Sequence, residues 1–446
     1  MSRPLRDSVK SRVVEAVDAR RDQLLGLARA ILQDPELGYR EVETAGLVRR
    51  ALDEMRVPHR DGLALTGVKA ILDTGRPGPT VAILGELDSI GASGHPHANP
   101  ETGAAHACGH HCQIAAMLGA GMALLDAGAL AELSGRVVLF AVPAEEYVEI
   151  DYRLGLRRQG RLEFLVGKAE LVRLGEFDDV DLAMMVHTGS HPAFRALAVG
   201  GSTNGMLAKS IRYVGRAAHA GSAPDRGVNA LGAAHVALAA IHAQRETFRD
   251  DDHVRVHPII TRGGELVSVV PADVRMETFV RASRAEALTD AGHKVDRALR
   301  AGAQALGATL ELTTLPGYLP LRADPALTEL FRANAEAVVG AANVGAVPHV
   351  SGGTDMGDLS HLMPAIHPFS GGAAGTAHSA DFLVTDYDVA VVNPAKTLAL
   401  TAVDLLASEA REARRVVALH RPAMTRDAYL AYARSLLREE RYRAEA

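Results

Sequence analysis

Hydrophobic positions recur along the chain in two rhythms. Between residues 8 and 32, Val13, Val14, Val17, Leu24, Leu25, Leu27 and Ile31 fall on one side of a helical wheel, which predicts an amphipathic helix. A second helix is predicted from about Glu41 to Met55. Then come short, continuously apolar runs bounded by turn residues: Thr80–Gly85 (TVAILG), Arg136–Val142 (RVVLFAV) and Leu182–Val186 (LAMMV). Runs of this length read as strands buried on both faces. Alternating with helices, they predict an α/β fold, a mixed or parallel sheet with helices on both faces.

The rhythm changes near residue 205. Strands are expected at Lys209–Val214, Val254–Thr261, Val274–Val280 and Thr309–Thr314, with helices at Val228–Ala243 and Ala285–Ala305. The order β-α-β-β-α-β is the split βαβ arrangement of a ferredoxin-like α+β domain. After Pro316 the first rhythm resumes and ends in the helical stretch Val389–Ala407. The expected organisation is one discontinuous domain, residues 1–203 and 317–446, interrupted by an inserted lid at 204–316. The last stretch of the chain, rich in Arg and Glu, reads as a solvated helical appendage.

Composition narrows the function classes. The 446 residues are enough for a large core without staples, and two cysteines make no disulfide framework. With 48 Lys+Arg against 54 Asp+Glu the net charge is −6, and no basic block stands out, which argues against nucleic acid or an anionic membrane as partner. The longest apolar run, Ile114–Leu125, has 12 residues, short of the ~18 of a membrane span. The first residues are polar and charged, so no export signal is read and a cytoplasmic location is expected. Aromatic residues are 4% of the chain with no Trp, which leaves few surfaces for stacking bases or sugars.

Candidate chemistry gathers where the predicted strands end, as ligands do in open α/β sheets. The segments are Gly85-Glu86-Leu87-Asp88, then His106-Ala107-Cys108-Gly109-His110-His111-Cys112, then Pro143-Ala144-Glu145-Glu146, then His187, and finally His378. Each alone has an ordinary reading: solvated acids, a structural histidine, a small buried cysteine. Together, thiolate, imidazole and carboxylate suit zinc or a manganese-type ion. Gly109 lets Cys108 and His110 turn toward one ion. Adjacent glutamates on an extended backbone diverge, so one is expected as ligand and the other as general base. Cys112 belongs to the apolar helix, which argues against a Cys-x-x-x-Cys clamp or disulfide. The abundance of carboxylates argues against a closed structural zinc site.

These residues resemble a known family. HACGH at 106–110, PAEE at 143–146, MMVH at 184–187 and His378 are similar to the metallopeptidase family of aminoacylases, carboxypeptidase G, aminobenzoyl-glutamate hydrolases and auxin-conjugate amidohydrolases, closest to the branch with a Cys in its metal site. PELGYREVETAG at 35–46, GRAAHAGSAPDRGVNAL at 215–231 and SVVPADVRMETFVR at 268–281 extend the likeness from about residue 20 to 405. The resemblance implies a catalytic domain binding one or two divalent ions (Zn or Mn) and a lid through which the chain forms a homodimer or larger homo-oligomer. It implies Cys108, His110, Glu146, His187 and His378 as metal ligands, Glu145 as general base, and Asp88 as the acidic residue beside the metals. On the lid it implies His219 at the substrate oxyanion, with Asn229, Arg281 and position 268 facing the substrate.

Three departures stand out. His111 occupies a position usually held by Asp or Asn. Ser268 replaces the Asn that grips a substrate carboxylate in relatives. Residues 147–161 are unusually charged, which reads as a solvated loop or as a wall of the pocket. The implied activity is hydrolysis of a C–N bond in a small molecule by metal-activated water, most simply in an N-acyl or N-aroyl conjugate. Deamination of an activated aromatic amine, and a silent binding module on the same scaffold, are the alternatives.

Overall fold

The computed structural model describes residues 3–444. The chain divides into two compact units. The first comprises Met1–Ser202, Arg322–His349 and Asp358–Met424; the second comprises Thr203–Leu321, Val350–Gly357 and Thr425–Ala446.

The first unit is built on a six-stranded sheet. Its strands are β1 (His59–Leu63), β2 (Gly67–Asp73), β3 (Thr80–Glu86), β4 (Arg136–Val142), β5 (Leu182–Met184) and the short Ala365–Ile366, in the order β1-β2-β4-β3-β5 and then Ala365–Ile366. The pairs β3–β4, β3–β5 and β5 with Ala365–Ile366 are parallel, while β1–β2 and β2–β4 are antiparallel. Every residue of β3 is buried, in keeping with its unbroken apolar run. The helix His110–Asp126 is buried almost all round. It packs on β3 and β4 with one side and on the helices Asn393–Leu419, Arg21–Gln33 and Arg3–Ala19 with the other. An apolar helix without a polar stripe is the kind that a three-layer core encloses. Asp388–Leu419 is long and apolar enough to cross a membrane, yet 83% of its most apolar stretch is buried inside the protein, so it serves as a core helix.

The second unit has β6 (Gly205–Val214), β7 (Arg255–Arg262), β8 (Asp273–Ala282), β9 (Thr309–Tyr318) and β10 (Arg438–Arg443) in the order β7-β8-β6-β9-β10, all antiparallel. The helices Ala230–Gln244 and Ala285–Leu306 pack together and on this sheet.

Three expectations need correction. The helix predicted over 8–32 is two helices, Arg3–Ala19 and Arg21–Gln33, because the chain turns at Arg20. LAMMV is a strand only to Met184; His187–Thr188 is a separate strand in a second, four-stranded sheet with Phe369–Ser370, Leu197–Val199 and Val344–Ala346. Residues 425–446, assigned from sequence to the first domain as a solvated helix, group with the second unit. They form the helix Arg426–Leu436 and then β10, which pairs with β9. The charges that suggest a solvated tail are partnered: Arg300 grips Glu440 at 2.5 and 2.6 Å, and Arg441 lies 3.5 Å from Glu311.

Candidate metal centre

Each candidate donor in the first unit is delivered by a strand end or the loop after it. Glu86 closes β3 and Asp88 follows. Cys108 precedes the helix His110–Asp126, whose first residues are reached through Gly109 at φ 94°. That left-handed backbone favours glycine, and a Cβ there would stand 3.2 Å from Thr188 Cβ. Glu145 and Glu146 follow β4 after Ala144, itself at φ 52°. His187 opens its own short strand. His378, at φ 65°, donates its backbone N–H to the Ala107 carbonyl at 2.9 Å. Positive φ at Ala144, next to the glutamate pair, and at the donor His378 is strain of the kind concentrated at functional sites.

These side chains converge. Cys108 Sγ lies 3.3 Å from His187 Nε2 and 3.3 Å from His378 Nε2. His378 Nε2 is 2.9 Å from Glu146 Oε1. Donor atoms of Cys108, His110 and His187 lie within 4.8 Å of one another; so do those of Cys108, Glu146 and His378, and those of Glu86, His110 and Glu145. Asp88 is buried and ties the pieces together: its Oδ2 accepts the Glu146 N–H at 2.9 Å and its carbonyl accepts His110 Nδ1–H at 2.8 Å.

Mutual electrostatics shift these groups. Burial pushes the Cys108 thiol up, as does Glu146, but His187 and His110 outweigh both and bring it down to about 6. Burial likewise favours a protonated Glu146, yet His378 holds it down to about 2. Glu146 in turn raises His378 to about 11 against the opposing effect of burial. Burial lowers His110 and His187, and the neighbouring Glu86 and Cys108 reverse this, so both rise.

The residues fit a divalent-metal centre. Neighbouring donors on a tetrahedral ion stand about 3.3–3.6 Å apart, close to the separations above. His110 Nε2 is buried and faces Glu86 Oε2 at 3.2 Å, which leaves it available to an ion placed between them. A thiolate, three imidazoles and a carboxylate make a donor set for zinc or a similar ion.

Comparison with known proteins identifies the family. The sequence profile of peptidase family M20/M25/M40 matches residues 82–399, more than half of the chain. The chain belongs to that family. Among curated relatives, the Xaa-Arg dipeptidase of Mus musculus is 27% identical over 421 residues, 89% of each chain. The indole-3-acetyl-aspartic acid hydrolase of Enterobacter agglomerans is 29% identical over 362 residues, covering 76% of this chain and 77% of the relative. Among solved structures, a dinuclear metal-binding M20 peptidase from Bacillus subtilis shares the fold with a TM-score of 0.63 at 23% identity, covering 87% of this chain and 99% of its own. An aminobenzoyl-glutamate utilization protein from Klebsiella pneumoniae does so with a TM-score of 0.65 at 21% identity, covering 87% and 97%.

The remaining candidates of this M20 chain lie in the second unit. His219 is exposed, and its Nδ1 accepts the N–H groups of Gly221 and Ser222, each at 3.1 Å. The neutral ring therefore carries its hydrogen on Nε2. Asn229 caps the helix Ala230–Gln244, its Oδ1 accepting the Gly232 N–H at 2.9 Å. Arg281 donates to Tyr318 Oη at 3.0 Å, and Ser268 is exposed.

Several neighbours of the site were either not singled out by sequence or not given their place there. The charged stretch 147–161 is largely a helix, Ile150–Arg158, and Arg153 is fully buried. Its guanidinium donates to the carbonyls of Leu165 (2.7 Å), Ala144 (3.4 Å) and Glu146, bracing the glutamate turn. Arg can be buried this way because its fork of donors matches a set of carbonyls. His111, the departure from the family pattern, is buried with its ring centroid 5.3 Å from that of His106. Burial, with His110 nearby, lowers it to about 3, so it stays neutral. His367 is buried with its ring centroid 5.6 Å from that of His187. Lys168 and Gln113 hold Glu86. For Arg153, His367, Lys168 and Gln113 nothing in the sequence context marks the role, because residue type alone does not report burial.

Proposed function

We propose that the chain hydrolyses the amide bond of an N-acyl or N-aroyl amino-acid conjugate, releasing the amine or amino acid. The observation that carries this reading is the convergence of Cys108, His110, Glu146, His187 and His378, with a carboxylate oxygen of Glu145 within 4.8 Å of the His110 donor. A divalent ion held by such donors supplies polarisation of the carbonyl and a more acidic water. Glu145, 8% exposed, is the proton carrier: it takes a proton from the attacking water and returns it to the departing nitrogen. Arg153 and Asp88 fix the turn on which Glu145 and Glu146 stand. His219, with its hydrogen on Nε2, is the proposed donor to the oxyanion that develops on the substrate. Relatives named for indole-3-acetyl-aspartic acid and p-aminobenzoyl-glutamate support a conjugate of this class.

A homodimer through the lid is part of the same reading. β7 is an edge strand whose Ile259 and Ile260 are 58% and 42% exposed, a surface suited to a second copy.

Glu145→Gln is the decisive variant. It should keep its bound metal and lose about 10²–10⁴-fold in turnover. Turnover near that of the unaltered protein would remove Glu145 from its role. A panel of N-acyl amino acids and anthranilates, read for released amino acid and for ammonia, tests the substrate class. Ammonia from the anthranilates without amino acid from the conjugates would replace amide cleavage by deamination.

A further inference from the structure

Glu86 and Lys168 have no part in the hydrolysis outlined above, yet they are among the most enclosed charges in the first unit, with side chains 1% and 0% exposed. Lys168 Nζ lies 2.6 Å from Glu86 Oε1. Gln113 Nε2 donates to Glu86 Oε2 at 2.9 Å, and Gln113 Oε1 accepts the Glu86 N–H at 3.1 Å. The carboxylate is gripped at both oxygens and at its own backbone.

What Oε2 still faces is His110 Nε2, at 3.2 Å. The His110 ring gives its Nδ1–H to the Asp88 carbonyl, so in the neutral ring Nε2 presents a lone pair. With the ring neutral, two acceptors stand opposed at that distance away from water, and only a cation between them, a proton or a metal ion, relieves the repulsion. A carboxylate oxygen of Glu145 lies within 4.8 Å of a donor atom of Glu86 and of one of His110. Three potential donors are thus gathered within a few ångströms. A buried ammonium–carboxylate pair contributes little net stability once desolvation is counted, so its presence here calls for another reason.

We infer that Glu86 is a further ligand of the metal centre, presenting Oε2 beside His110 Nε2, and that Lys168 is its permanent counter-ion. This rests on the metal-dependent reading of the site. Lys168 engages the oxygen turned away from His110, which fixes the carboxylate to ligate through one oxygen. It also offsets one negative charge in a centre that already holds a thiolate and Glu146.

The test is metal binding, read separately from activity. The full chain is stripped with a chelator and titrated with Co(II), following affinity by calorimetry and ligation by the visible d–d bands. Glu86→Gln should weaken binding of one ion by tenfold or more and alter the d–d bands, while the sulfur-to-metal charge-transfer band of Cys108 persists. Less than tenfold weakening, or unaltered d–d bands, overturns the inference, the latter because a residue that merely orients His110 leaves the ion's own ligands in place. Lys168→Met should show a larger gain in melting temperature on adding metal than the unaltered protein, since the ion then carries the whole burden of neutralising Glu86; an equal gain overturns the counter-ion role. Where Lys168→Met fails to fold without metal, Glu86→Gln/Lys168→Met removes both charges together and must reproduce the Glu86→Gln defect. Unaltered protein that takes up no ion would instead defeat the metal-dependent reading itself.

Discussion

At the scale of single residues, the glutamate turn shows how the fold holds strained chemistry in place. Ala144 sits at φ 52°, and its N–H is received by Glu41 at 2.8 Å while Thr66 donates to the same carboxylate at 2.7 Å. Burial, and then Asp88 nearby, push the Glu41 carboxyl from its ordinary 4.5 up to about 7. The unfolded chain loses that proton near pH 4.5 and the folded chain only near 7, so the folded state binds more protons in between. Stability of the metal-free chain should therefore fall as pH rises through this window, by about 3 kcal/mol for the whole shift. Denaturant unfolding across the window checks this: Glu41→Gln should flatten the slope, and a slope that survives would assign it to another group. The candidate donors that the structure brings together were legible in the sequence because Cys, His and paired Glu are conspicuous directly after apolar strands. Glu86 stood in plain view in one of those segments, but its partner Lys168 lies in a helix, where a lysine ordinarily marks solvent. Arg153 was hidden the same way, inside a run of charges that looks exposed.

At the scale of elements, close approach matters more than propensity. The helix Gly167–Leu174 begins against the glutamate turn: the Gly167 N–H reaches the Ala144 carbonyl at 3.2 Å, and a Cβ on Gly167 would stand 1.7 Å from the Pro143 carbonyl oxygen. Gly167→Ala should thus force this helix and the turn apart. The expected cost is about 1–3 kcal/mol or more, with a drop in turnover because Glu145 moves. Thermal unfolding and kcat measured together check it, and unchanged values in both would mean the turn yields without consequence. Strands β3 to β9 were readable from apolar runs and alternation, whereas β1, β2 and Ala365–Ile366 were not among the runs read. The break at Arg20 was not, because the apolar stripe continues across it. β10 was not readable either: Arg-Glu-Glu-Arg-Tyr-Arg has almost no apolar content, and its place in the sheet depends on acids and bases contributed from far along the chain, Arg300 and Glu311 among them.

At the scale of the whole molecule, the two edges of the second unit's sheet differ. β10 covers β9, while β7 is open with its exposed isoleucines. Removing residues 425–446 should uncover β9 and promote association through that edge; light scattering after size-exclusion chromatography would read this, and a truncated chain with unchanged mass and solubility would deny β10 a capping role. Ile259→Lys should weaken the proposed dimer by placing like charges across a twofold contact, and the same measurement reads it. Mixing His219→Ala with Glu145→Ala chains should restore part of the activity if a lid serves its neighbour's centre, and no restoration would place each site within one chain. Both units are also discontinuous in sequence. Cys108, His110, Glu146 and His187 precede the inserted segment and His378 follows it, while β10 completes the second unit only after the first has closed. During synthesis on the ribosome, the proposed donor set is therefore complete only once residue 378 has emerged, and a product terminated before it lacks one of the five side chains.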